Sequence, residues 1–399
     1  MNKLTILDLG DAHQLGKRVL VRVDFNVPLD DALQVTDDTR IVAALPTLDR
    51  LIAKGAKVIL LSHLGRPKAK VEAKYSLAPV AARLKALAKF PVAFLAETDT
   101  DGAVAASKAL TNGSALLLEN TRFLPGEETN DPALAKSLAR LGDLFVNDAF
   151  GTAHRAHAST EGVAHLLKPA VAGLLMQKEL DYLGGALDKP KHPFVAVLGG
   201  SKISGKIDVI DALLPKVDAL LIGGAMACTF YKAMGIETGT SLVEPDRVDL
   251  ARQLIERAGT LLILPHDATV APSLDQASKA HAVARDGIPA GEAMLDIGPR
   301  TAESYARAIA SAKTVIWNGP MGVFEKPPLD AGTMAIAKAM AAATKTGCTT
   351  IVGGGDSAAA VAQAGLEHEM SHVSTGGGAS LEFLEGKVLP GVAILDERK

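Results

Sequence analysis

Four arginines and a histidine stand beside short apolar runs in the first half of the sequence. His63, Leu64, Gly65 and Arg66 follow "KVILLS", Arg122 follows "ALLLEN", Arg155 follows "LFVNDAF", and Arg40 opens a helical pattern downstream of "RVLVRVDF". Guanidinium forks match the oxygens of a carboxylate or a phosphate. The stretch from Val19 to Asp30 has the two-residue period of a strand. Val19, Val21, Val23, Phe25 and Val27 alternate with Leu20, Arg22, Asp24 and Asn26 until Pro28 ends the pairing. Asp24 and Asn26 could hold a hydroxyl between the cations, so the polar end of this strand reads as the floor of a small anion site. One arginine at a strand end is ordinarily a surface ion-pair partner. Arginines at successive tips of one sheet read instead as converging. His154 and His157 read as structural hydrogen-bonders.

The second half carries glycine where the first carries cations. "VAVLGGSKISGKIDVI" sets Gly199 to Lys206 between a strand and a helix. Gly200 to Lys206 spells G-x-x-x-x-G-K, but Ile207 stands where a phosphate loop needs Ser or Thr for magnesium. Lys202 and Lys206, four apart at a helix start, could both face phosphates. In "TTIVGGGDSAAAVAQAG", Gly353, Gly355 and Ala358 fit the dinucleotide pattern G-x-G-x-x-A, with Gly354 between. Asp356 would repel a bare pyrophosphate, and suits a loop in which Mg²⁺ intervenes with Ser357 alongside. "STGGGASLEFL" is a third glycine-rich turn, whose N–H groups at Gly376, Gly377 and Gly378 could hold a phosphoryl group. Each loop alone is a tight turn. Together with two lysines and an aspartate they point to a Mg-nucleotide site.

These residues need strands to present them. Val/Ile/Leu-rich runs alternate with helical stretches along almost the whole 399-residue chain. That alternation implies α/β architecture: two doubly wound, Rossmann-like parallel sheets with ligands at the C-terminal ends of the strands. Different tips in the two halves imply two different ligands. The join is expected at 173–192, where a helix gives way to the Pro- and charge-rich "DKPKHP". Apolar residues make up 48% of the chain and aromatics 4%, which suits an aliphatic α/β core. A net charge of −3 offers no argument for nucleic acid or membrane partners. Cys228 and Cys348 sit in no metal spacing and fit a reducing cytoplasm. The opening stretch shows no signal-peptide pattern, and no apolar run approaches the roughly 18–20 residues of a membrane helix.

The motifs "RVDFNVP", "SHLGRP", "LLLENTRFLPGEE", "NDAFGTAHRAHAS", "LGGSKISGKI", "WNGPMGVFE", "GGGDS" and "STGGGASLEFLEGKVLPGV" occur in an order that closely resembles the phosphoglycerate kinase family. The resemblance implies a phosphoglycerate-binding domain over 1–172, a joining helix and linker over 173–192, a Mg-nucleotide domain over 193–380, and a final segment, 381–399, that returns to the first domain. It implies reversible phosphoryl transfer from 1,3-bisphosphoglycerate to ADP, giving 3-phosphoglycerate and ATP, by a cytoplasmic monomer with Mg²⁺ as cofactor. On the matching motifs, Asp24, Asn26, Arg40, His63, Leu64, Gly65, Arg66, Arg122 and Arg155 are substrate residues. Lys202, Lys206, Asn318, Glu325, Gly353, Gly354, Gly355, Asp356 and Ser357 are nucleotide residues. Asp356 is the metal ligand, and Arg40, Lys202 and Gly376–Gly378 act at the transferred group. Ser357 stands where many relatives carry Thr, with the hydroxyl retained. Three rivals remain at this stage. Ile207 counts against a P-loop NTPase, and Asp356 against a nicotinamide-dependent dehydrogenase. The third is a non-catalytic nucleotide- or phosphometabolite-binding protein on the same fold, against which Arg40, Lys202 and Asp356 speak.

Overall fold

The computed structural model describes residues 2–398. They divide into two compact units, Met1–Asp181 with Val388–Lys399, and Tyr182–Lys387.

The first unit is built on β1 (Arg18–Arg22), β2 (Lys57–Leu61), β3 (Val92–Leu95), β4 (Ser114–Leu118), β5 (Leu144–Asn147) and β6 (Ala170–Ala172). All pairs are parallel, in the order β3-β4-β2-β1-β5-β6. Residues on both faces of β1 are buried, Arg22 included, because helices cover the sheet on both sides. The helix Thr39–Ala53 turns Ile41, Ala44, Leu48 and Leu51 into this core, at the spacing of one helical face. The chain first winds to one side of β1 and later places β5 on the other. The β1/β5 junction is therefore a switch point, where strand ends open a crevice.

Asp148, just past β5, heads the helix Leu174–Glu179: its Oδ1 accepts the N–H groups of Leu175 at 2.9 Å and Met176 at 3.1 Å. Thr47 Oγ1 accepts the Leu174 N–H at 2.8 Å, which ties the Thr39–Ala53 helix to the same point. The C-terminal segment closes this unit. Leu4 N–H donates to the Asp396 carbonyl at 2.7 Å, Asp396 N–H to Ala170 at 2.8 Å, and Asn147 Nδ2 to the Gly391 carbonyl at 2.8 Å.

The second unit holds β7 (Phe194–Leu198), β8 (Ala219–Ile222), β9 (Leu262–Ile263), β10 (Asp267–Ala271), β11 (His281–Ala284), β12 (Ala293–Ile297), β13 (Thr314–Asn318), β14 (Thr349–Gly353) and β15 (His372–Val373). Six are parallel in the order β15-β14-β13-β7-β8-β9, the winding of a dinucleotide-type sheet with its switch point between β7 and β13. The alternation implied two parallel sheets with five strand runs in each half, and the short edge strands β6 and β15 make each sheet six-stranded. It did not imply the separate antiparallel sheet β11-β10-β12. Residues 381–387 lie in this second unit, and the segment belonging to the first unit begins at Val388.

Candidate functional site

The first unit gathers its polar residues beyond β1, β2 and β4. Asp24 is almost buried, and Arg40 Nη1 donates to its Oδ2 at 2.7 Å. Asn26 Oδ1 accepts the Gly65 N–H at 2.8 Å, joining the loop after β1 to the loop after β2. Asn120 Nδ2 donates to the Leu64 carbonyl at 2.7 Å and to the Tyr75 carbonyl at 2.9 Å, fixing the His63–Arg66 loop from beneath. Arg122 Nη1 donates to the Gly65 carbonyl at 2.7 Å and its Nε lies 3.4 Å from Glu128, but its buried Nη2 has no hydrogen-bond partner. Arg155 Nε donates to His154 Nε2 at 3.1 Å, and its charge reaches Arg122. Arg66 is exposed, on the rim.

Charge dominates this volume. Burial lowers the His63 pKa well below the ordinary histidine value, and Arg22, Arg122, Arg40 and His157 press it further down. Burial, with Arg22, Arg122 and Arg155, takes His157 down to about 3. Both rings are therefore neutral at physiological pH. A buried guanidinium N–H without a partner is costly and is satisfied by an anion.

The second unit has a cavity of about 520 Å³ at its switch point. Gly199 and Gly200 follow β7, Asn318 ends β13 with Gly319 after it, and Gly354 to Ser357 follow β14, with Gly377 and Gly378 also on the lining. The two central tips meet backbone to backbone: Gly199 N–H donates to the Asn318 carbonyl and Gly200 N–H to the Pro320 carbonyl, each at 3.0 Å. Gly319 has φ +97, and a Cβ there would run into the Gly199 carbonyl. Gly319→Ala is expected to strain this floor by about 1–3 kcal/mol. Nucleotide affinity should fall roughly tenfold or more, as a titration of the variant with MgADP would show.

Lys206 Nζ bonds Asn318 Oδ1 inside the cavity. Burial lowers its pKa to about 8, against the opposing pull of Asp356 and Glu385. The cation that attracts phosphate is therefore lost as pH rises through about 8. Affinity for a nucleotide should weaken across that range in the protein and stay flat in Lys206→Gln, which calorimetry at pH 7 and pH 9 would check.

The spacing of Lys202 and Lys206 implied one side of a helix start. The helix in fact begins at Ile207, because Ser201–Gly205 is spent on turns, and Lys202 is exposed outside the cavity lining. Glu325 is also exposed outside the lining, and Gly353 and Gly376 are buried beneath it. Ser357 is buried, and its Oγ accepts the Gly319 N–H at 2.6 Å, so it braces the β13 tip.

Among the described residues no group of three or more His, Cys, Asp or Glu is placed to hold a metal ion. Asp356, in the first turn of the Gly355–Gln363 helix, is the carboxylate beside the Gly354–Gly355 turn, and Glu382 and Glu385 also line the cavity. That fits Mg²⁺ bound by one carboxylate and completed by nucleotide phosphates and water.

A family model described as phosphoglycerate kinase matches residues 9–387. The chain is 61% identical over 402 residues to the phosphoglycerate kinase of Chloroflexus aurantiacus, covering 100% of both. It is 58% identical over 392 residues to that of Chlorobium phaeovibrioides, covering 98% of this chain and 99% of the relative. The chain belongs to the phosphoglycerate kinase family. The solved phosphoglycerate kinase of Coxiella burnetii is 46% identical and superposes with a TM-score of 0.88, over 98% of each chain. That of Pyrococcus horikoshii OT3 gives 0.85 at 31% identity, again over 98% of each.

Ser159 and Glu127, beneath the basic site, escaped the sequence reading, and Arg22 entered it only as part of the polar face of its strand. Arg22 is fully buried and donates from Nε to Ser159 Oγ at 2.9 Å, while Glu127, 1% exposed, accepts the Ser159 N–H at 2.9 Å and its hydroxyl at 2.5 Å. Arg22 shares its strand face with Asp24, which was the available signal. Nothing in the sequence foretold Ser159 or Glu127 beneath it.

Proposed function

We propose that this protein moves a phosphoryl group reversibly between 1,3-bisphosphoglycerate and MgADP, with the first unit binding the phosphoglycerate and the second the nucleotide. One observation carries the division of labour: a guanidinium-rich site with an orphaned donor lies at one sheet's strand ends, and a glycine-lined cavity with Lys206 and Asp356 at the other's. In the first, Arg122, Arg155 and Arg66 take the carboxylate and phosphate oxygens of the phosphoglycerate. Asp24 and Asn26 hold its hydroxyl, and His63 with the Leu64–Gly65 backbone closes the floor. In the second, Lys206, Asn318 and the Gly353–Gly355 turn take the nucleotide phosphates, and Glu325 the ribose. Asp356, with Ser357 beside it, faces the metal. When bound, Mg²⁺ supplies charge neutralisation at the nucleotide phosphates.

In the direction of ATP use the nucleophile is a carboxylate, already ionised at neutral pH, so no general base is required. The burial-lowered pKa of His63 agrees with this, because a neutral ring deep in a cationic site donates hydrogen bonds. Catalysis rests on alignment and charge neutralisation of a loose, in-line transition state. Arg40 and Lys202 face the equatorial oxygens, aided by the N–H groups of Gly376–Gly378. The two ligands meet when the units close about the helical run that begins at Leu174, and closure keeps water from the acyl phosphate. The protein acts as a cytoplasmic monomer. No helix among the described residues is long and apolar enough to cross a membrane.

Hydrogen exchange tests the assignment of ligands to units. Addition of 3-phosphoglycerate should protect 22–26, 63–66 and 120–124. MgADP should protect 199–206, 318–322 and 353–358. Protection of the same segments by both ligands would contradict the division.

A further inference from the structure

We infer that Arg22 is a positioning residue that sets the proton of His63: the buried chain Glu127–Ser159–Arg22 holds the ring as the Nε2–H tautomer, leaving that N–H to donate to the bound anion. The inference deepens the proposed reading of the first unit and rests on it for its substrate, but not for its tautomer.

Donor and acceptor roles determine the direction of the chain. Glu127 accepts from the Ser159 hydroxyl, which thereby spends its single proton. Ser159 Oγ must then accept from Arg22 Nε, as the 2.9 Å contact requires. Arg22 Nη2 lies 3.2 Å from His63 Nδ1. A guanidinium has donors only, so Nδ1 carries no proton and the ring proton sits on Nε2. The competing arrangement would protonate Nδ1 and aim it at Asp24. Asp24 Oδ1 lies 3.9 Å away, beyond hydrogen-bond reach. Nε2 has no protein partner among the described residues, which leaves it for a ligand.

Charge enforces the same state. Burial and the charges of Arg22, Arg122 and Arg40 oppose a second proton on the ring, and Asp24, 3.9 Å from Nδ1, is the carboxylate facing it. Glu127 balances Arg22, whose guanidinium is otherwise sealed from water. Arg22 thus keeps its charge in the core, and that charge adds to burial, Arg122 and Arg40 in holding His63 neutral.

The test starts on the unaltered protein. Long-range ¹H–¹⁵N spectra of histidine-labelled protein, with the His63 signal identified by its loss in His63→Gln, should show Nε2 protonated and Nδ1 bare from pH 8 to pH 5. A proton on Nδ1, or titration of His63 near its ordinary value, overturns the inference without any variant having to fold. Arg22→Met removes the donor facing Nδ1 and one of the repelling charges, so the Nδ1–H tautomer should appear and the His63 pKa should move upward, with burial, Arg122 and Arg40 still holding it down. KM for 3-phosphoglycerate should rise several-fold while KM for MgATP is unchanged. Ser159→Ala, the milder change, should loosen Arg22 and move the His63 signals in the same direction. Unchanged His63 signals in both variants overturn it. Absence of turnover in the unaltered protein would count against the proposed reaction, and the tautomer measurement would stand apart from that result.

Discussion

Arg40→Ala is expected to lower kcat by about 10³–10⁵-fold, the range an arginine at a transferring phosphoryl group contributes in related chemistry. MgADP affinity should change less than twofold. The reasoning begins with position. Arg40 is the second residue of the Thr39–Ala53 helix, whose apolar face is locked into the core by Ile41, Ala44, Leu48 and Leu51. Asp24 takes its Nη1 at 2.7 Å, so the guanidinium is aimed before any ligand arrives. Its side chain is 34% exposed, so the guanidinium is open to a ligand. Arg40→Lys keeps the charge but loses the planar fork, and should recover only a small part of the rate. Steady-state kinetics and nucleotide titration on both variants check this. A large loss of MgADP binding with kcat nearly retained would contradict the role given to Arg40.

Asp356→Ala is expected to weaken MgATP by roughly 10–100-fold, the scale on which a metal site responds to lost supporting groups, with 3-phosphoglycerate barely affected. Asp356 is the wall carboxylate in the first turn of its helix, beside the cation of Lys206. Removing it takes away the carboxylate at the Gly354–Gly355 turn and leaves Glu382 and Glu385 on the cavity lining, whereas the basic site in the first unit keeps every one of its contacts. The metal-free nucleotide should gain relative to MgATP, since a repulsive charge has gone. Titration with each ligand, with and without Mg²⁺, separates these effects. Equal weakening of nucleotide and phosphoglycerate would count against the metal assignment.

Much of this arrangement was legible because it follows from periodicity and from what sits at strand ends. The alternation of "RVLVRVDF" reads as a strand, and β1 lies within it. The ladder stops at Arg22, earlier than the pattern implied, because Phe25 N–H turns to Ser62 Oγ at 2.9 Å. "TLLILP" yields only the two-residue β9: Pro265, which cannot donate, follows directly on Leu264. Strands β10–β12 were missed because β10 and β12 each carry an acidic residue, Asp267 and Asp296, in a short run, and β11 is largely exposed. The glycine loops were legible as turns, but the depth of Lys206 and the exposure of Lys202 were not, since backbone turns at Ser201–Gly205 break the helical spacing. The chain beneath His63 was the least legible. It joins residues 22, 63, 127 and 159 through contacts that only tertiary folding creates.

The most direct measurement is an ATP-driven assay with 3-phosphoglycerate and Mg²⁺, coupled through glyceraldehyde-3-phosphate dehydrogenase to NADH. NADH oxidation should require ATP, Mg²⁺, 3-phosphoglycerate and this protein together, and should collapse with Arg40→Ala. No turnover while both ligands still bind would contradict the account and identify a binding protein on this fold.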